Sequence, residues 1–182
     1  HALGRDLRFE DGRGPLMTPI GAEEIAGLED RDIHAHLEPV YETVRRLRRD
    51  LAPKTTLIGF CGAPWTVATY MVQGEGSTDQ AEARLSAYRD EAGFAKLIDL
   101  LVETSIVYLD GQVKAGADCL QIFDTCAGSL PDDEFDRWVV EPTKRIREAL
   151  REKHPDVPVI GFPKGVGSAA VATRWAFLLS RR

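Results

Sequence analysis

At residues 60–71 the chain reads Phe60-Cys61-Gly62-Ala63-Pro64-Trp65-Thr66-Val67-Ala68-Thr69-Tyr70-Met71, and at residues 120–128 it reads Leu120-Gln121-Ile122-Phe123-Asp124-Thr125-Cys126-Ala127-Gly128. In both stretches an apolar, β-prone run gives way to small, polar and aromatic residues. This change is typical of the carboxyl end of a strand in a parallel α/β barrel, where such proteins place their chemistry. The two stretches therefore predict a parallel α/β fold with a functional rim at the strand ends.

Strands and helices alternate outward from these two stretches. Short β-prone runs predict strands at 55–60, 118–124 and 157–162. Apolar residues spaced by three and four, with capping and stop signals, predict helices at 33–50, 65–71, 77–88 and 91–115, and one or two more within 131–153. Crossovers of this length imply that the strands run parallel.

The whole chain, residues 1–182, is predicted to be a single partial domain of a (β/α)8 TIM barrel. A complete barrel takes about 250 residues, so this chain can build about half of one. Residues 1–20 show no sustained period, which predicts an irregular lead-in with a short extended piece at Leu7-Arg8-Phe9. Because the chain opens at His1 without a methionine and ends at Arg182, we expect both ends to be cut.

Composition narrows the functional classes. The net charge of −6 argues against a nucleic-acid partner, because phosphate binding needs a basic excess. No apolar run is long enough to cross a membrane, so no membrane partner is expected. Three cysteines without paired spacing, Cys61, Cys119 and Cys126, favour a reducing cytoplasm.

Three segments are predicted to converge on one rim: 60–70, 124–128 and 163–167. Tyr70 could hydrogen-bond a carboxylate there, or it could pack its ring in the core. Thr125 could donate its hydroxyl to an anionic group, or it could cap its own turn. Asp124 could act as a carboxylate or order the adjacent turn. Residue types alone leave these alternatives open.

Several residues have the spacing of a metal site or a phosphate loop, but for each of them a structural role is the preferred interpretation. His34 and His36 enter a predicted helix, where positions two apart face different ways. Cys119 and Cys126 lack an obvious third ligand, and residues 74–77 lack the lysine and the strand-to-helix placement of a phosphate loop. A solvated helix face is predicted for the four arginines Arg45, Arg46, Arg48 and Arg49. No metal site is therefore predicted.

The two opening stretches carry a family resemblance. Residues 59–71 match the pattern Gly-Phe-x-Gly-Ala-Pro-Trp-Thr-x-x-x-Tyr-Met, and residues 121–128 match Gln-x-Phe-Asp-Ser/Thr-x-Ala-Gly. Both patterns closely resemble signature segments of the uroporphyrinogen decarboxylase family. Residues 1–20 and 154–164 also resemble family segments, so the resemblance covers about residues 1–170. Residues 171–182 depart from the family.

The resemblance implies a cofactor-independent carboxy-lyase of porphyrin (haem) biosynthesis, cytoplasmic and homodimeric when complete. The family converts uroporphyrinogen III to coproporphyrinogen III by removing four acetate carboxylates. Tyr70 and Thr125 fall on substrate-contacting positions, with Phe60 as a wall of the cleft. The family's catalytic aspartate segment would lie upstream of residue 1, and its arginine-rich loop and late histidine have no counterpart here. The resemblance therefore implies no catalytic residue within this chain and no activity for the chain alone.

Two alternatives remain open at this stage. Cobalamin or coenzyme M methyltransferases share the barrel but need a His-x-Cys pair with a later cysteine, and this chain has no His-x-Cys. The second alternative is a non-catalytic gene remnant. Half a barrel would leave strand edges and apolar surface uncovered, which predicts association or poor solubility.

Overall fold

The computed structural model describes residues 3–12, 14–25, 28 and 33–167. The strands of the described residues are β1 (Leu7–Glu10), β2 (Gly14–Met17), β3 (Ile58–Gly62), β4 (Cys119–Asp124) and β5 (Val159–Pro163). The helices are α1 (Ala22–Ile25), α2 (Ile33–Asp50), α3 (Pro64–Gln73), α4 (Ala81–Arg89), α5 (Glu91–Ala115), α6 (Asp132–Phe135) and α7 (Glu141–Lys153). A π-helical turn, Asp136–Val140, joins α6 to α7 without a break. Residues 171–182, where we expected a departure from the family, lie outside the described residues.

Strands β3, β4 and β5 form one parallel sheet with β4 in the centre. Phe60 pairs with Gln121, and Phe123 pairs with Phe162. The long crossovers run through α5 between β3 and β4 and through α7 between β4 and β5. The predicted α/β class and the parallel strands are therefore confirmed.

The segment before β3 is not part of the strand, so β3 begins at Ile58 and not at residue 55. The backbone N–H of Leu57 donates to the Asp118 carboxylate at 2.7 Å, and Arg48 donates to the same carboxylate and to the Thr55 carbonyl. In this segment side chains therefore bond backbone groups that would otherwise pair with a neighbouring strand. Arg48 is thus not part of a purely solvated face, whereas Arg45, Arg46 and Arg49 make exposed ion pairs.

The lead-in contains an antiparallel hairpin, which confirms the extended piece predicted at Leu7-Arg8-Phe9 and corrects the irregular structure expected around it. Leu7 pairs with Met17 and Glu10 with Gly14, and Gly12 and Gly14 adopt positive φ angles that glycine tolerates. The hairpin docks on the end of α3, where the Met17 N–H donates to the Gly74 carbonyl at 2.7 Å. Gly74 ends α3 with φ 81°, as expected of a helix stop.

Local end signals set the bounds of the central helices. α5 begins after Asp90, whose carboxylate accepts from the Gly93 N–H, and ends at Gly116 with φ 113°, which confirms the predicted 91–115. α4 begins at Ala81, later than predicted. The Ser77 hydroxyl does accept from the Gln80 N–H, but this bond closes a turn before the helix.

Helices cover one face of the parallel sheet, and the other face is exposed. Leu120 and Ile122 point to the covered face and are fully buried. On the opposite face lie large apolar side chains that are 37–56% exposed: Ile58, Phe60, Ile160 and Phe162. Alternation along each strand separates the two sets. In the described part of the chain, a layered core therefore exists on the helix side only.

The outer edge of β3 is capped by a side chain. The Gln112 amide, 2% exposed on α5, accepts from the Phe60 N–H at 2.9 Å and donates to the Phe60 carbonyl at 3.0 Å. One amide thereby satisfies both backbone groups that a neighbouring strand would otherwise bind.

Asp110 ties α5 to the end of α7. Its carboxylate accepts from His154 Nε2 at 2.7 Å and from Lys114 Nζ at 2.8 Å. Burial opposes the charge, but these two hydrogen bonds hold the pKa of Asp110 below its ordinary value. Ionised Asp110 therefore stabilises the helix layer.

Candidate functional site

The three predicted rim segments do converge at the carboxyl end of the sheet. Beyond β3 the Ala63 N–H donates to the Phe123 carbonyl at 2.8 Å. The Lys164 N–H donates to the Asp124 carbonyl at 2.9 Å, and the Gly128 N–H donates to the Lys164 carbonyl at 3.1 Å. Backbone hydrogen bonds thus continue past the strands and hold the segments together.

The backbones of Gly128 and Gly165 approach each other closely at this rim. A Cβ atom on Gly128 would lie 2.5 Å from the Gly165 carbonyl oxygen and 2.6 Å from its carbonyl carbon. These are backbone atoms, which cannot rotate away as a flexible side chain would. Glycine at residue 128 therefore allows the β4 and β5 segments to pack in contact.

Replacing Gly128 with alanine is expected to lower the free energy of unfolding by about 1–3 kcal/mol, because the rim backbone must shift. Gly167→Ala is the matched control, since a Cβ there would meet nothing within 4 Å. The control should change stability by less than about 0.5 kcal/mol. Urea unfolding followed by circular dichroism measures both, and equal effects would contradict the close packing.

Helix α3 is bonded to the end of β4 and the turn after it by side chains from its first two turns. Trp65 Nε1 donates to the Cys126 carbonyl at 3.1 Å. The Thr66 hydroxyl donates to Asp124 Oδ1 at 2.6 Å and accepts from the Cys126 N–H at 3.1 Å. The Thr69 hydroxyl lies 3.5 Å from Cys126 Sγ. No motif in the sequence predicts these contacts, although two threonines inside a buried apolar helix signal that polar partners are near.

Asp124 is fully buried at the end of β4. Burial raises the pKa of its carboxyl group to about 6, while the hydrogen bond from Thr66 and the nearby Cys126 backbone N–H act in the opposite direction. Its Oδ2 atom is buried and has no hydrogen-bond partner in the described part of the chain. Of the two roles left open for Asp124, ordering the adjacent turn fits this geometry.

The predicted site residues occupy different environments. Thr125 is exposed in the turn after β4, with its hydroxyl 3.9 Å from Cys126 Sγ. Tyr70 is half-buried on α3, and its phenol oxygen would lie 3.4 Å from a Cβ on Gly76. The contact between Thr69 and Cys126 joins α3, which carries Tyr70, to the turn that carries Thr125.

Phe60 lies on the open face of the sheet, 56% exposed. Its ring meets the Phe123 ring edge to face at 5.8 Å, and Phe123 meets Phe162 in the same way at 5.9 Å. We call these three rings the aromatic row. The row forms an apolar wall just below the rim.

The remaining candidates from the sequence stay apart from this rim. Within residues 3–12, 14–25, 28 and 33–167, no group of three His, Cys, Asp or Glu side chains could hold a metal ion. Cys119 and Cys126 lie at opposite ends of β4. Cys61 is buried, which raises the pKa of its thiol to about 12. The described helices include none with the length and apolar character needed to cross a membrane.

A parallel α/β sheet with polar groups gathered at its carboxyl edge defines the class of α/β proteins that bind ligands at their strand ends. A sequence model of one family, uroporphyrinogen decarboxylase (URO-D), matches residues 1–176. The chain belongs to the uroporphyrinogen decarboxylase family.

Relatives with that name share more than half of the aligned residues. The uroporphyrinogen decarboxylase of Mesorhizobium japonicum is 59% identical over 168 residues, covering 92% of this chain and 49% of the relative. Those of Chelativorans sp. and Brucella anthropi are 58% and 57% identical over 167 residues, with the same coverage. The chain therefore spans about half the length of the curated relatives it matches.

A solved structure shares the fold at low sequence identity. A methyltransferase from Methanosarcina mazei superposes with a TM-score of 0.74 and 18% identity, covering 97% of this chain and 51% of that chain. At this identity the likeness supports the fold alone.

Proposed function

We propose that this chain supplies part of the substrate-binding rim of a uroporphyrinogen decarboxylase, the enzyme that converts uroporphyrinogen III to coproporphyrinogen III. The observation that carries the proposal is the family match over residues 1–176, which includes all three segments of the rim. On this proposal the complete enzyme is a cytoplasmic homodimer of porphyrin biosynthesis.

The parallel sheet is proposed to be part of a (β/α)8 barrel. Helices cover one face of the sheet, and the aromatic row lies on the other, which would then face the barrel interior. Coverage of about half of both the relatives and the methyltransferase neighbour supports this arrangement. The rest of the barrel would cover the exposed apolar side chains.

The proposed reaction sets tasks that the rim residues can meet. Loss of carbon dioxide from a pyrrole acetate leaves an electron pair that a protonated pyrrole ring accepts, so the protein must bind and orient a polyanion. We assign Thr125 and Tyr70 to hydrogen bonds with substrate carboxylates, because hydroxyl groups can donate to them. Phe60 would pack against a pyrrole ring. No catalytic acid and no cofactor are assigned within this chain.

The methyltransferase alternative rests on the fold neighbour, which is 18% identical. Relatives named uroporphyrinogen decarboxylase are 56–59% identical, and the chain has no His-x-Cys pair for a zinc-bound thiolate. The decarboxylase is therefore the preferred proposal.

A chimera tests the proposed function. The chain replaces its matched segment in the Mesorhizobium japonicum enzyme, and conversion of uroporphyrinogen III to coproporphyrinogen III is followed by chromatography. We expect turnover by the chimera and none by the 182-residue chain alone or by the relative lacking the segment. A chimera that unfolds cooperatively but does not turn over substrate would overturn the proposal and favour the gene-remnant alternative.

Thr125→Val in the chimera is expected to raise KM at least about 10-fold with little change in kcat, because a hydrogen bond to a charged group is lost. Tyr70→Phe should act in the same way. Thr125→Ser keeps the hydroxyl and is the control for Thr125. Unchanged KM values in both Thr125→Val and Tyr70→Phe would remove the two residues from the substrate site.

A further inference from the structure

The rim holds a buried acid that the proposed reaction does not use. Asp124 is fully buried and shares its face of β4 with Leu120 and Ile122, the face that helices cover. Phe123, on the opposite face, belongs to the aromatic row. The Asp124 side chain therefore cannot touch a substrate bound over the open face, and any role must pass through its neighbours.

The neighbour is Thr66, whose single hydroxyl hydrogen fixes the direction of the contacts. The Cys126 N–H can only donate, so the Thr66 oxygen accepts from it at 3.1 Å. The same hydroxyl then gives its hydrogen to Asp124 Oδ1 at 2.6 Å. We call this chain of two hydrogen bonds, from Cys126 N–H through Thr66 to Asp124, the Thr66 relay.

The Thr66 relay spans the residue proposed to meet the substrate. Thr125 lies between Asp124 and Cys126, so the relay ties together the two residues that flank it. The Asp124 carbonyl accepts from the Lys164 N–H at 2.9 Å, and the Cys126 carbonyl accepts from Trp65 Nε1 at 3.1 Å. The backbone on both sides of Thr125 is therefore held while its own side chain stays exposed.

One carboxylate oxygen of Asp124 has no partner within the residues that the structure describes, which indicates that this geometry lowers the stability of the protein. Asp124 Oδ2 is buried without a partner among the described residues, and such groups reduce stability. Buried unsatisfied groups in folded proteins call for an explanation beyond stability. Fixing a binding turn in one conformation supplies that explanation, because preorganised donors lose less entropy on binding.

We propose that Asp124, acting through Thr66, is a positioning residue that fixes the turn at Thr125 so that the Thr125 hydroxyl meets a substrate carboxylate in one orientation. The substrate half of this inference rests on the proposed function. The relay itself does not, so the two halves are tested separately.

Amide hydrogen exchange of this chain tests the relay. Thr66→Val removes the acceptor for the Cys126 N–H and should speed exchange of that amide about 10-fold, the loss expected for one hydrogen bond. Thr66→Ser keeps the hydroxyl and should leave exchange unchanged. Thr69→Val is the matched control: Thr69 is buried on the same helix, and its hydroxyl donates to the Thr66 carbonyl and lies near Cys126 Sγ, but it does not bond the Cys126 N–H. Unchanged exchange in Thr66→Val, or equal effects in Thr66→Val and Thr69→Val, would overturn the relay.

A double-mutant cycle in the chimera tests the positioning role. Thr66→Val should raise KM several-fold with little change in kcat, and this effect should vanish when Thr125→Val is already present, because the relay acts through Thr125. Additive effects would reduce Thr66 to a structural residue and overturn the positioning role.

Variants of Asp124 supply the rescue experiment. Asp124→Asn keeps an oxygen that accepts from Thr66 and should restore KM close to wild type, whereas Asp124→Ala should not. If Asp124→Ala fails to fold, the Thr66 cycle decides. An inactive wild-type chimera would overturn the proposed function and the substrate half of this inference together, while exchange of the Cys126 amide still decides the relay.

Discussion

Replacing Trp65 with alanine is expected to lower the free energy of unfolding by about 3–5 kcal/mol, the range for deleting a large buried aromatic side chain. Trp65 is fully buried, and its ring centroid lies 5.7 Å from that of Phe94, which in turn lies 5.1 Å from Trp138. The substitution leaves a cavity between α3 and α5. It also removes the Nε1 hydrogen bond to the Cys126 carbonyl.

Two comparison variants separate these causes. Trp65→Phe keeps an aromatic ring but loses the N–H donor, so it should cost less than the alanine substitution. Leu85→Ala, at a side chain that is 40% exposed, should cost about 1 kcal/mol or less. Urea unfolding followed by circular dichroism gives all three values. A Trp65→Ala protein as stable as Leu85→Ala would show that the aromatic cluster does not hold α3 in place.

The second large effect concerns the pH dependence of stability and Asp124. Its pKa is about 6 in the folded protein against an ordinary value of 3.8. A carboxyl group with a raised folded pKa contributes stability that is fully present below pH 4 and is lost as the pH rises through 6. The difference of roughly two pKa units corresponds to about 3 kcal/mol.

Asp124→Asn removes this pH dependence, because asparagine stays neutral and can still accept from Thr66. The free energy of unfolding of wild type relative to Asp124→Asn should therefore fall by about 3 kcal/mol between pH 4 and pH 7. The difference curve is needed because Asp110, with its lowered pKa, acts in the opposite sense and loses stability as the pH falls. A flat difference curve would mean that Asp124 is not buried as described.

Local signals in the sequence were enough for much of the fold. Gly116 marks the end of α5, and alternation of β-prone runs with long helices predicts the parallel sheet. The hairpin does not follow from the local pattern because it bonds Gly74, far along the chain, and β3 begins later than predicted because Asp118 binds the preceding backbone. A local sequence pattern does not indicate contacts between residues that are far apart in the chain.

The candidate site, like the fold, is only partly predictable from the sequence. Its location at the strand ends follows from the fold class, and Tyr70 and Thr125 follow from motif resemblance. The Thr66–Asp124 hydrogen bond joins residues 58 positions apart, so neither periodicity nor spacing indicates it. The structure supplies this contact, and the roles of Tyr70, Thr125 and Phe60 stay predictions.

The Gln112 amide makes the β3 edge of the parallel sheet harder for an incoming strand to pair with. A strand that adds beside β3 must first break two hydrogen bonds at Phe60 and leave a nearly buried amide without partners. In the complete barrel proposed above, a strand that pairs with this edge of β3 would have to displace the Gln112 amide, so Gln112→Ala should make pairing at this edge easier.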